Sequence, residues 1–145
     1  MTAGGPISAF VLGWAGVIPF AAFSLAAVLG VPVPVPAGAA LLAYGAAILS
    51  FMGGAQWGVA MRAPDGFDRG WSGYAVSVVP ALLAWAGLLV AGKAGLGLLI
   101  AGFAGLLAYD LWTIRRGYAP GWYASLRWQL TTAVVVLLGL ALVAG

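Results

Sequence analysis

The chain has 145 residues, of which 64% are hydrophobic and only 6% charged, with a net charge of +3. A soluble domain carries roughly 25% charged residues, so a water-exposed surface cannot be built from this composition. With neither cysteine nor histidine, disulfides, thiolate metal sites and imidazole acid–base chemistry are excluded. The few basic residues do not form the clustered patch that nucleic acid needs.

Five apolar stretches of about bilayer length follow one another: Ile7–Leu29, Ala37–Met61, Trp71–Ala91, Ala94–Ile114 and Ala124–Val143. They predict an all-α membrane protein, a single domain over residues 1–145 made of five transmembrane helices. Alternation of polarity, the mark of a membrane β-barrel, is missing. The first stretch lacks a charged leader and is longer than a signal-peptide core, so it reads as a genuine span. Pro19 and Pro80 fall inside spans and predict kinks, because each removes a backbone hydrogen bond. The Val-Pro repeat Val31–Pro36 predicts a stiff, extended spacer.

The second connector carries Arg62 and Arg69. Arg115, Arg116 and Arg127 lie in or just after the fourth, and Lys93 alone falls on the other side. The positive-inside rule then places the N-terminus in the cytoplasm and the C-terminus on the opposite face. Trp57, Trp71, Trp112, Trp122 and Trp128 cluster toward the same side, as an anchoring belt or as an aromatic-lined site. The loop containing Asp65 and Asp68 reads as a solvated turn with balanced charges.

Small residues form stripes at helical spacing. Gly45, Gly53 and their neighbours line one face of the second span, and Gly102 and Gly105 one face of the fourth. Such stripes predict close helix packing, since apolarity alone does not drive helices together inside lipid. A polar layer accompanies them. Gln56, Ser77, Asp110 and Arg127 each lie five or six residues from a span end marked by Arg or Trp, roughly 7–9 Å inside the membrane boundary. With Ser50, Trp57, Trp112 and Trp128 they make up the candidate polar or ligand-binding set.

Asp110 and Arg127 are the expected pair. A carboxylate near a helix C-terminus and a cation near a helix N-terminus both oppose the helix dipole, and each relieves the other. Three roles fit these residues: a clamp between the fourth and fifth spans, an arginine that snorkels to lipid phosphates, or a group that handles a ligand or proton. The only other acids, Asp65 and Asp68, are in a loop. No general acid–base pair, metal cluster or phosphate loop can be assembled, so neither an enzyme nor a cofactor is expected.

Tyr44-Gly45-Ala46-Ala47-Ile48-Leu49-Ser50-Phe51-Met52-Gly53-Gly54-Ala55-Gln56-Trp57-Gly58 resembles the signature of the transmembrane protein 69-like family, a bacterial and mitochondrial family of unknown function. Ser77–Trp85, with its Val-Pro, and Pro120-Gly121-Trp122-Tyr123 through Arg127 are similar to two further family segments. The resemblance implies an inner-membrane location, bacterial or mitochondrial, and no established activity; the expected location is the bacterial inner (plasma) membrane, with multiple spans. In that family the residue before the tryptophan is often basic or histidine, whereas Gln56 here cannot titrate. The expected partners are the lipid bilayer and a membrane-protein partner or second copy. A non-enzymatic accessory, assembly or scaffold role is the first reading. Binding or carriage of a lipophilic molecule (quinone, porphyrin or lipid) is the second, and a proton or ion pathway is the third.

Overall fold

The computed structural model describes residues 6–62 and 72–144. Trp71 and the loop carrying Asp65, Asp68 and Arg69 lie outside the described residues. Among the described residues there are six helices: α1 (Ile7–Ala15), α2 (Ile18–Leu29), α3 (Ala37–Arg62), α4 (Ser72–Val90), α5 (Gly92–Arg115) and α6 (Trp122–Ala144). Strands are absent among the described residues. α1 and α2 together make the first span, Ile7–Leu29, and α3 to α6 supply one span each. The protein is therefore a five-span membrane helix bundle. Lipid offers no hydrogen bonds to a bare backbone, and helices meet that demand within each segment.

Pro19 divides the first span. A proline ring clashes with the carbonyl four residues earlier, here that of Ala15, the last residue of α1. Gly16 and Val17 form the turn between the two helices. The Gly16 and Val17 amides donate to Leu12, Gly13 and Trp14 at 3.0–3.1 Å. The Tyr44 hydroxyl reaches across from α3 and donates to the Gly16 carbonyl at 2.8 Å. Pro80 acts differently: α4 runs through it unbroken, and its ring sits against Gly53 of α3, where an added Cβ would lie 2.8 Å from the ring carbons.

The helices close a ring in the order α2, α3, α4, α5, α6, with α6 returning to α2 and α3 also touching α5 across the middle. α1 makes its main contact with α6. Phe20, Leu49, Leu99, Phe103 and Leu138 fill the centre, and Phe20 meets Tyr44 and Phe103 edge-on at 4.9 and 6.1 Å. The outer surface carries Phe51, Leu82, Trp85 and Val143, apolar side chains suited to lipid contact.

The α4–α5 connection is shorter than the expected Gly92–Lys93 linker, because Ala91 alone joins the two helices. Ala91 has φ 55° and ψ −171°, a conformation nearly reserved for glycine. So tight a hairpin brings the helix backbones together. A Cβ on Gly95 would lie 2.5 Å from the Gly87 carbonyl oxygen, so the absence of a side chain is what permits this approach.

Candidate binding site

Three of the expected polar residues converge between helices. Asp110 lies on α5 one turn beyond Leu106 and two beyond Phe103, on the buried stripe of that helix. Arg127 shares the inner stripe of α6 with Thr131, Val134 and Leu138, and Gln56 follows Leu49 and Gly53 on that of α3. The Arg127 Nε donates to Asp110 Oδ2, and the Gln56 Nε2 donates to Oδ1. Gln56, Asp110 and Arg127 are 0, 1 and 2% exposed. One carboxylate thus ties α3, α5 and α6 together. The Gln56 amide is oriented by the same bond, since turning it over would set Oε1 against the carboxylate. Thr113 donates back to the Asp110 carbonyl at 2.7 Å.

This network is incompletely satisfied. Gln56 Oε1, Arg127 Nη2 and Thr131 Oγ1 are buried without a hydrogen-bond partner among the described residues. Unmet polar groups in an apolar interior are costly. Two of the three residues, Arg127 and Thr131, line a cavity of about 120 Å³. The rest of its wall comes from the α1–α2 break (Gly16, Val17), from Met52 of α3 and from Phe103 of α5, among other apolar residues. Arg127 and Thr131 are its only side chains with nitrogen or oxygen among the described residues. Exposed Leu12 and Phe51 stand at its rim, so the cavity opens sideways through the bundle wall rather than at its ends.

Other expected site residues are placed elsewhere. Ser50 and Ser77 donate within their own helices, to the Ala46 and Tyr74 carbonyls at 2.8 and 2.6 Å. Trp57, Trp112 and Trp128 are 40–55% exposed on the outer surface, and the expectation that they line an aromatic site is corrected. Each helical residue turns about 100°. Trp57 and Trp128 directly follow the inward Gln56 and Arg127 and so point aside, while Trp112 is two residues past Asp110 and nearly opposite it. Trp57 packs edge-on against Tyr74 at 4.7 Å. Arg116 lies over the Trp112 ring at 5.6 Å.

The glycines divide in the same way. A Cβ on Gly45 or Gly102 would lie 2.6 Å from a methyl of Leu99 or Leu49, and Gly53 meets Pro80. These three stand at close helix contacts. Gly105 is corrected: it is exposed, and a Cβ there would meet nothing within 4 Å. Thr131 was missed by sequence reasoning, although its position one turn after Arg127 puts both on one face. Trp14, whose Nε1 donates to Gln129 Oε1 at 3.1 Å, and Ser24, which donates to the Leu137 carbonyl at 2.7 Å, were missed as well. Both are bonds of the first span to α6.

Fold and site together define a small multi-pass membrane protein, held internally by a buried ion pair and notched on one side by an apolar cavity. The chain belongs to the family described as Protein of unknown function (DUF3429), whose model matches residues 5–143. It is 39% identical over 133 residues to Transmembrane protein 69 of Xenopus tropicalis. That alignment covers 90% of this chain and 51% of the relative, so the chain spans about half the length of the curated relative it matches. No solved structure matches the chain.

Proposed function

We propose that this protein is a non-enzymatic intramembrane binder of a lipophilic small molecule, seated in a bacterial inner membrane with its N-terminus in the cytoplasm. The observation that carries the reading is the lateral cavity, whose lining side chains are apolar apart from Arg127 and Thr131 among the described residues. Ligand sites are mostly apolar hollows with a few placed polar groups, and an ionisable residue inside a membrane marks function by default. The orientation rests on the bias of arginines to one side of the membrane. Asp110, the one acid within the spans, is engaged on both oxygens by Gln56 and Arg127.

A second reading, an accessory protein paired with another membrane helix, is favoured by a different observation. Gly54 and Gly58 of α3 both face outward with nothing within 4 Å of an added Cβ, the spacing of a helix-association motif. Native mass spectrometry of protein gently extracted from its own membrane tests both readings. A defined small-molecule mass retained on a monomer or homo-oligomer is the expected result. A larger complex of two proteins with no small molecule overturns binding in favour of the accessory role.

A further inference from the structure

We propose that an outward-facing groove between α4 and α5 seats one acyl chain of an anionic phospholipid, with Arg116 receiving its phosphate. This site is separate from the cavity beside the α1–α2 break and does not depend on it. The groove has a volume of about 270 Å³. Val76, Val79 and Leu83 of α4 stand on one side of it, and Ala101, Gly105 and Tyr109 of α5 on the other.

Its shape follows from how α4 is held. At the hairpin, α4 and α5 meet closely at Gly87 and Gly95. Further along, the Pro80 ring of α4 is seated against Gly53 of α3, while Gly105 of α5 has nothing within 4 Å of an added Cβ. Val79, Ala101 and Gly105 are exposed, so the groove opens sideways between the two helices. From Ala101 to Tyr109 it runs about 12 Å along the helix axis. Inside a bilayer the surrounding solvent is hydrocarbon, and an acyl chain is the hydrocarbon that fits a long, narrow slot.

Charge sets the headgroup end. Gly105, Tyr109, Trp112 and Arg116 recur at steps of four, three and four residues, which places them on one face of α5. The Tyr109 and Trp112 rings are 5.4 Å apart, and the Arg116 guanidinium lies over the Trp112 ring at 5.6 Å. Ring contacts thus lead from the groove wall to a cation. Trp112 is about 5 Å beyond Tyr109 along the axis, comparable with the polar layer of about 5–7 Å on each side of a bilayer. A chain lying against Tyr109 therefore brings its phosphate to the level of Arg116. Arg115 and Arg116 are exposed, and neither pairs with a carboxylate among the described residues. The indole takes a face of the Arg116 guanidinium, whereas a phosphate is bound through the in-plane N–H groups at its edge. A lipid of net negative charge supplies the missing counter-charge. A zwitterionic one brings a cation that both arginines repel.

The test uses the purified full chain, delipidated in detergent, and two probes with identical oleoyl chains, phosphatidylglycerol and phosphatidylcholine. Native mass spectrometry reads the affinity of the first bound lipid. One arginine near an anionic lipid surface is worth about fivefold. Phosphatidylglycerol should therefore bind at least fivefold more tightly than phosphatidylcholine, and Arg116→Gln should weaken it about fivefold. Lys93→Gln, at the other end of α5, should leave it unchanged. Gly105→Leu fills the slot and should weaken phosphatidylglycerol at least fivefold. Thermal unfolding without lipid checks that each variant is folded. Arg116→Gln alters an exposed side chain and keeps the proposal testable if the leucine variant does not fold. Equal binding of the two lipids, or Arg116→Gln without effect, overturns the anionic headgroup site. A folded Gly105→Leu without effect overturns the groove as the seat of the chain. A run of equivalent bound lipids with no distinct first site means a non-specific lipid shell and overturns both. A ligand of the α1–α2 cavity should be indifferent to Gly105→Leu, so the two proposals fail separately.

Discussion

Removing one partner of the Asp110–Arg127 pair should cost far more stability than removing both. Asp110→Asn leaves a guanidinium almost wholly buried with no counter-charge, and Arg127→Met leaves the carboxylate with Gln56 as its remaining side-chain partner. Breaking a buried pair from one side typically costs about 3–5 kcal/mol, whereas replacing both charges by groups of similar volume is often close to neutral. In the double variant, the introduced asparagine amide can still meet Gln56, and the methionine fills the space of the arginine stem. Its expected loss is under about 2 kcal/mol, so the cycle should be non-additive by about 3 kcal/mol or more. The lower end applies if the unfolded chain in the membrane finds substitute partners for its charges. The assay is reversible unfolding in mixed micelles titrated with denaturing detergent and read by tryptophan fluorescence, without added ligand. Single losses that add to the double within about 0.5 kcal/mol would show that the two residues are not a coupled pair.

Further outcomes follow from the same contacts. Arg127→Ala should lower the yield of folded protein much more than Lys93→Ala, because Lys93 is exposed; solubilised yields on size exclusion compare them. Gly95→Ala drives a Cβ into the Gly87 carbonyl and Gly53→Ala drives one into the Pro80 ring, each costing about 1–3 kcal/mol by overpacking. Gly102→Ala meets only the movable end of Leu49, and Gly105→Ala meets nothing, so in the same unfolding assay both should fall below them, with Gly105→Ala near neutral. Ala91→Gly should raise stability by about 1 kcal/mol by releasing a strained backbone. Tyr44→Phe strips the Gly16 carbonyl of its donor and should cost about 1 kcal/mol, with faster amide exchange at the α1–α2 junction.

Much of this protein was legible along the chain. A bilayer of fixed thickness that cannot hydrogen-bond a backbone leaves an apolar chain of this length little choice but successive helices. Depth was legible as well, since rise per residue is constant, and with helix polarity it paired Asp110 with Arg127. Rotation was not. Neighbouring residues on a helix point about 100° apart, so Trp57, Trp112 and Trp128 share the depth of the polar cluster yet stand on the outer surface, and Gly105 faces open space while Gly102 meets Leu49. The cavity lay further out of reach. It lies beside the break that Pro19 makes in the first span, and residues of α1, α2, α3, α5 and α6 together wall it. Composition and length determined the spans and their depths, because these are properties of one helix in one solvent. The tertiary structure alone decided which faces meet and which polar atoms are left over, because those depend on how five spans pack at once.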